Sequence, residues 1–166
     1  TLLALQTPVA KDLRTIIVIL RIITDLERVG DEAEKIARLS LKLNYDNIDI
    51  SFLKSLEHLG NSTSLALNKA IDAYARSSLE DAFEVIAEDK KVDVEYEACM
   101  RQLISYIVKI EENKIVKNFI DISTCAKSIE RIGDHAKNIA QHTIYLIKGK
   151  DVRHTSIEQV RAEIEE

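Results

Sequence analysis

The chain has 166 residues and a formal net charge of -5, with 46% apolar and 31% charged residues. This length suits one domain with a sizeable core, and this mixture is typical of a soluble globular protein. The acidic balance argues against nucleic acid as the main partner, because phosphate binding requires a cationic surface. One proline, four glycines and no tryptophan leave little material for strands and turns, so we expect an all-α protein.

Apolar runs and cysteines indicate the compartment. The longest apolar run, from Ile16 to Leu20, is far shorter than the ~18 residues that a membrane-spanning helix needs, and the N-terminus has no pattern typical of a signal peptide. We therefore expect a cytoplasmic protein. Cys99 and Cys125 lie on the apolar sides of separate helical patterns, which predicts two buried, reduced thiols.

The first predicted helix runs from Pro8 to about Leu43. Thr7 is a suitable N-cap, and proline is favoured at the first helical position. Apolar residues then recur in steps of three and four, at Ile19, Ile22, Leu26, Val29, Ala33, Ile36 and Leu41. This stripe predicts the packed face of the helix. Residues 44–49 carry turn residues without a period and predict a short connection to an antiparallel neighbour.

Residues 51–148 predict three long antiparallel helices. The second helix begins at a Ser51 cap and ends near Arg76, and the third begins at Ser77-Ser78-Leu79-Glu80, a capping-box pattern. The third helix runs to about Ile110, Glu111-Glu112 turns the chain, and the fourth helix extends from an Asn113 cap to a C-terminal cap at Gly149. A polar link follows, and Ser156 starts a short final helix.

A segment of the first helix recurs in the fourth. Residues 25–37 and 128–140 are identical at seven of thirteen positions, 103 residues apart. Such a repeat predicts a duplicated unit larger than one helix. Residues 1–44 then hold the last helix of an incomplete first repeat, 51–148 the complete second repeat, and 149–166 the link and short C-terminal helix. The first helix must pack on the three-helix unit, on a second chain or on sequence outside this chain.

Each copy carries two carboxylates one helical turn apart, Glu27/Asp31 and Glu130/Asp134, opposite the apolar stripe. A solvated face explains them, and Lys35 can pair with Asp31. Like charges at this spacing are nevertheless mildly destabilising without a cation. Hard cations, iron and manganese bind such oxygen-rich sites, so a metal site is the other interpretation.

The third helix adds carboxylates at apolar positions. Asp89 and Asp93 fall within its apolar arc, where an unpaired charge is costly, so they need either a metal ion or the neighbouring Lys90 and Lys91. The candidate metal ligands are Glu27, Asp31, Asp89, Asp93, Glu130 and Asp134, with Glu97 and Asn138 as additional ligands.

The remaining glycine, arginine and histidine positions bear on the helix packing and on the class of protein. Gly30 and Gly133 are equivalent mid-helix glycines, each costing ~1 kcal/mol relative to Ala, and they suggest a close helix crossing. Arg28 and Arg131 are interpreted as surface charges or as partners of acids on the next helix. The four histidines have no spacing typical of a zinc or nucleophilic site, and none lies three residues after a glutamate as in di-iron oxidase bundles. We assign no catalytic residue and expect a protein that is not an enzyme.

On these residues, the chain resembles the PhoU family, the phosphate-specific transport system accessory proteins. The similarity covers nearly the whole chain. It rests on the Glu-Arg-Val/Ile-Gly-Asp blocks at 27–31 and 130–134, and on the segments 8–14, 88–93 and 149–154. The resemblance implies an all-α fold of antiparallel three-helix bundle repeats, usually a homodimer.

The resemblance also implies a function. It implies a cytoplasmic negative regulator of phosphate uptake and of the phosphate-starvation response. Such a protein acts between the phosphate ABC transporter, including its ATPase, and a sensor histidine kinase, and reaches the membrane only through these partners. It further implies metal at the paired motifs, with Glu27 and Asp31 in a first site and Glu130, Asp134, Asp89 and Asp93 in a second. Iron, manganese, magnesium and zinc are the candidate cofactors.

Two alternatives remain from the residues themselves. One is a metal-dependent helical-bundle enzyme, which turnover with bound iron would favour. The other is a purely structural helical interaction module, in which the acids only solvate a helix face.

Overall fold

The computed structural model describes residues 10–43, 50–108 and 113–165, and these contain five helices and no strand. The helices are α1 (Ala10–Ser40), α2 (Ile50–Arg76), α3 (Leu79–Ile107), α4 (Asn113–Lys148) and α5 (Ile157–Glu165). The predicted all-α class is confirmed. The predicted start at Thr7-Pro8, the connection 44–49 and the turn at Glu111-Glu112 lie outside the described residues. None of the described helices combines the length and the apolar character that crossing a membrane requires.

Helix α4 is the centre of the molecule. It packs against α1, α2 and α3, while α2 also packs on α3 and α5 packs on α3. Helices α2, α3 and α4 therefore form a three-helix bundle, and α1 lies on the outside of α4. Because α4 has neighbours on three sides, fully buried residues occur around much of its surface: Ile122, Ala126, Ala136, Ile139, Ala140 and Ile144.

Two apolar clusters fill the bundle. One joins Phe52, Leu59 and Leu103, and the other extends from α1 across α4 to the short helix α5. Cys99 and Cys125 are buried, as predicted, and burial raises the pKa of both thiols.

Most helix ends follow the predicted signals. Gly149 follows α4 with φ 78°, the left-handed conformation that favours glycine in a C-terminal cap. Before α5, the Gln159 N–H donates to Ser156 Oγ and the Ser156 N–H donates to Gln159 Oε1, which is a capping box.

The predicted cap of α3 is wrong by one residue. Ser78, and not Ser77, is the N-cap, and its hydroxyl accepts the Asp81 N–H at 3.2 Å. Ser77 has φ 53° and so takes up the left-handed turn after α2. An N-cap needs extended backbone, which only Ser78 has here.

The buried face of α1 differs from its predicted stripe. Val18 and Ile22 are buried against α4, but Leu26 is 39% exposed and Ala33 is also exposed. The inward positions after Ile22 are instead polar, namely Asp25 and Glu32, at 6% and 8% exposure. The helix is rotated relative to the prediction because these two side chains find polar partners on α4.

A second apolar face of α1 stays open. Leu20 and Ile23 are both 55% exposed, and a Cβ on Gly30 would meet no atom within 4 Å. Its counterpart Gly133 is closely packed, since a Cβ there would lie 3.3 Å from Val92 Cγ1 of α3. The predicted close crossing is therefore present at Gly133 and absent at Gly30 among the described residues.

The link between α4 and α5 is fixed to the bundle. Val152 and Val160 are 2% and 1% exposed and anchor the link and α5. Between them, Arg153 is held by Asp151, whose carboxylate accepts from the Arg153 Nε at 2.9 Å. This places Arg153 beside the surface where α1 meets α4.

Candidate functional site

Four predicted metal ligands lie together where α3 packs on α4. Partial desolvation and then the Asp89 carboxylate raise the pKa of Asp93. Partial desolvation, followed by Glu130 and Asp89, raises the pKa of Asp134. These effects on Asp93 and Asp134 show that the carboxylates of the two helices share one side of the α3–α4 pair. We refer to Asp89, Asp93, Glu130 and Asp134 as the acidic cluster.

Two lysines of α4 pair with the acidic cluster. Lys137 Nζ lies 2.5 Å from Asp89 Oδ2, and Lys127 Nζ lies 2.6 Å from Glu130 Oε2. Asp89 is only 8% exposed, so it is the carboxylate that most needs a partner. The ion pairs leave Asp93 and Asp134 as the two exposed members of the cluster.

The predicted lysine partners of Asp89 are not the ones used. Lys90 and Lys91 are exposed, and Lys91 pairs with Glu88 at 3.1 Å. Side chains one or two positions apart do not face each other on a helix, so neither lysine can cover Asp89 from within α3. The partner comes from the next helix.

The donor chemistry of the acidic cluster suits a hard cation, because all four side chains offer carboxylate oxygens. The arrangement is that of an ion-paired cluster. Within the described ranges, no three His, Cys, Asp or Glu side chains are placed so that they could hold a metal ion. Lys127 and Lys137 stand against two of the four carboxylates, where a cation would have to replace them.

The two additional candidates lie at the margin of this cluster or outside it. Glu97 is one helical turn from Asp93 and adds to the rise in its pKa. Glu97 is exposed and pairs with Arg101 at 3.3 Å on its own helix. Asn138 turns towards α1, where its Nδ2 donates to Asp25 Oδ1 at 3.3 Å.

The first predicted pair is on the solvent side of α1. Glu27 and Asp31 are both exposed, on the same side of the helix as Gly30. Lys35 does not pair with Asp31 but lies 3.5 Å from Glu32, one of two buried acids of this helix. In the described residues, the first copy therefore presents two solvated carboxylates.

Sequence reasoning missed a buried cluster between α1 and α4. Asp25 accepts from His135 Nδ1 at 2.9 Å, while His142 Nε2 lies 3.3 Å from its second oxygen. All three residues are at most 7% exposed. Although burial acts in the opposite direction, bonds from His142, His135 and Asn138 hold the pKa of Asp25 below its usual value. We refer to these four residues as the Asp25 cluster.

A second buried acid is bound nearby. Glu32 forms an ion pair with Arg131 of α4, with 2.9 Å between Nη1 and Oε1. Burial works against ionisation, but the Ser128 hydroxyl, Lys35 and Arg131 together lower the pKa of Glu32. Arg131 is therefore a partner of an acid on the next helix and not only a surface charge.

The two acids are related by the duplication. Asp25 and Ser128 are equivalent in the repeat, and so are Glu32 and His135. Asp25 contacts His135, and Glu32 interacts with Ser128. The first residue of each copy (25 or 128) thus faces the eighth residue of the other copy (135 or 32), which is the pattern of a two-fold interface. The copies differ at the positions where they face each other.

A signal for this interface existed in the sequence. His135 and His142 are seven residues apart, on one face of α4, and Asn138 lies between them on the same face. The differing positions of the repeat pair an acid in one copy with a donor in the other. These acid–donor pairs indicate an interface only if the two copies are assumed to pack against each other.

Substitution of Asp25 tests the buried cluster. Because the folded-state pKa of Asp25 is lowered, its stabilising contribution is complete above its usual pKa of about 3.9 and is lost as the pH falls through the folded value. We expect Asp25→Asn to lower the free energy of unfolding by about 1–3 kcal/mol at pH 7. The difference from the parent should shrink below about pH 4. Urea unfolding followed by circular dichroism at both pH values measures it.

The matched control is Asp72→Asn. Asp72 pairs with Arg76 at 3.5 Å, but its side chain is 64% exposed. We expect a change within about 0.5 kcal/mol at either pH. Equal effects of the two substitutions would show that the Asp25 cluster does not stabilise the fold.

The chain is similar in sequence to a known protein family and to individual members of it. The PhoU domain family model matches residues 1–40 and 56–143. The phosphate-specific transport system accessory protein PhoU homolog of Pseudomonas aeruginosa is 38% identical over 99% of this chain. The corresponding PhoU of Escherichia coli K12 is 41% identical over 92% of it. The chain spans 67% and 62% of the lengths of these two relatives.

Two solved structures are similar to this chain. The crystal structure of PhoU from Pseudomonas aeruginosa matches with a TM-score of 0.82 and 38% identity, covering 90% of this chain and 70% of that one. The phosphate transport system regulatory protein PhoU from Streptococcus pneumoniae matches with a TM-score of 0.81 and 27% identity, covering 91% and 69%. On the match of the family model and of these relatives, this chain belongs to the PhoU domain family.

Proposed function

We propose that this chain belongs to a negative regulator of phosphate uptake and of the phosphate-starvation response. It would act in the cytoplasm between the phosphate ABC transporter and a sensor histidine kinase. The observation that supports this proposal is the match to phosphate-specific transport system accessory proteins over 99% of the chain.

The geometry fits a protein that works through its helix surfaces. The three-helix bundle buries its own core, and α1 keeps an open apolar face that includes Leu20 and Ile23. Exposed apolar faces mark contact with other protein segments. This chain spans 67% and 62% of the lengths of two relatives, and we propose, as the family resemblance implies, that the whole protein acts as a homodimer.

The enzyme alternative gains no support from the described residues. Its metal would need the acidic cluster, where lysines already pair with Asp89 and Glu130. The relatives are named accessory and regulatory proteins. We therefore retain the regulator as the proposed function.

A cellular assay tests the regulatory role. The full-length protein is expressed in a bacterium whose own PhoU-family protein has been deleted, and a phosphate-starvation reporter is measured in phosphate-rich medium. We expect the reporter to be repressed several-fold, because a negative regulator is present again.

The control for this assay is Ala136→Arg at the same expression level. Ala136 is fully buried in α4, so an arginine there disrupts the bundle and should abolish repression. Unchanged reporter activity with the parent protein would contradict the proposed function.

We further propose that the acidic cluster binds a divalent cation in competition with its lysines. Support comes from the four carboxylates and from the raised pKa of Asp93 and Asp134, which results from partial desolvation and then from repulsion by the neighbouring carboxylates. A bound cation would neutralise this repulsion and tie α3 to α4. It would also release Lys137 from Asp89.

Calorimetric titration with Mn²⁺, Mg²⁺, Fe²⁺ or Zn²⁺ tests the cation site. Asp134→Asn should weaken binding about tenfold or more, because it removes a charged ligand. Lys137→Gln should strengthen binding, since it removes the cation that competes for Asp89. Asp72→Asn, on exposed α2 surface, is the control and should leave binding unchanged. Absence of binding, or equal effects of Asp134→Asn and Asp72→Asn, would overturn the assignment.

A further inference from the structure

A basic cleft lies where α1, α4 and the link after α4 meet. It has a volume of about 260 Å³ and is lined by Arg21 and Arg28 of α1, by Asn138 and His142 of α4, and by Arg153 of the link. The Asp25 carboxylate also lines it. We refer to this cavity as the arginine cleft.

A larger cavity adjoins the arginine cleft. Its volume is about 590 Å³, and Asn138 and Arg153 line both cavities. Arg131, Lys137 and His154 contribute further basic groups to its wall. Ligand pockets for small molecules have volumes of about 300–1,000 Å³, so the combined space suits a small molecule.

The charge of these cavities is opposite to that of the chain. Their walls hold five Arg and Lys side chains but only two carboxylates, Asp25 and Asp134. The chain as a whole has a net charge of -5. Basic side chains are thus concentrated at this junction, and the potential there favours an anion.

Several of these cations already have carboxylate partners. Arg131 pairs with Glu32, Lys137 with Asp89, and Arg153 with Asp151. These neighbours reduce the positive potential. An anion would therefore bind through the guanidinium donors that remain.

Donors remain on all three arginines of the arginine cleft. Arg28 is exposed and forms no ion pair with any carboxylate in the described part of the chain. Arg21 lies over the Tyr145 ring at 5.9 Å, a stacking contact that leaves its edge N–H groups available. Arg153 bonds Asp151 through Nε and Nη2, which leaves Nη1 and one further N–H.

We propose that the arginine cleft binds a phosphoryl oxyanion, either free phosphate or the phosphate group of a small molecule. Arginine forks match phosphate oxygens in bidentate geometry, and three arginines can serve several oxygens at once. Asn138 supplies an amide donor at the same wall. For a phosphate ester, the adjoining cavity accommodates the rest of the molecule.

This site depends on the docking of α1 onto α4. Arg21 and Arg28 come from α1, and Asn138 and His142 come from α4, where they also belong to the Asp25 cluster. An anion between these elements would add a bridge across the interface. The inference deepens the proposed function and rests on it for its physiological meaning, since it names a ligand class for a phosphate regulator.

Calorimetry on the full-length protein in phosphate-free buffer tests the site. The titrants are inorganic phosphate and ATP, which distinguish a free anion from a phosphate ester. Whichever of the two titrants binds the parent protein, Arg28→Gln should lower its affinity about tenfold or more, because the charge-assisted pair between the guanidinium and the phosphoryl group is lost. Added salt should weaken binding as well.

The matched control is Arg38→Gln, which removes the same charge from an exposed position of α1 about 15 Å farther along the helix. It should leave binding within twofold of the parent. No binding of either titrant, or equal weakening by Arg28→Gln and Arg38→Gln, would overturn the arginine cleft as a phosphoryl site. Because this readout is binding alone, its failure leaves reporter repression unaffected, and loss of repression in cells leaves the binding result standing.

Discussion

The docking of α1 onto α4 depends on one buried carboxylate. Asp25 is 6% exposed and is bound by His135, His142 and Asn138, all on α4. An uncompensated charge at this depth would be strongly destabilising. The polar contacts therefore fix the rotation of α1 about its own axis. That rotation in turn decides which residues of α1 face solvent and which line the arginine cleft.

Duplication explains why the interface is built this way. The copies share Glu, Gly and Asp on one face and differ at positions where they meet, Asp25 against Ser128 and Glu32 against His135. Divergence let one copy supply acids and the other supply donors. The shared face was left free for each copy's own neighbours. At Gly133 these neighbours are Val92 and Thr63, whereas the equivalent side of Gly30 is open in the described chain.

The fold followed from periodicity and capping, since four long amphipathic patterns and the signals at Gly149 and Ser156 predicted α1 to α5 closely. The contacts of the candidate site were less predictable from the sequence. Helical spacing placed Asp89 at an apolar position correctly, but spacing along one helix cannot identify Lys137 on another as its partner. Likewise, Asp25 and Glu32 look like surface acids in sequence. Only the position of α4 shows that both are buried and which donors bind them.

A double-mutant cycle between Asp25 and His135 measures whether these two side chains stabilise the fold through their contact with each other. Asp25→Asn, His135→Gln and the double variant are compared by urea unfolding at pH 7. The account predicts a coupling free energy of about 1–3 kcal/mol between the two substitutions. Effects that add within about 0.5 kcal/mol would contradict it and would show that the contact between Asp25 and His135 does not hold α1 on α4.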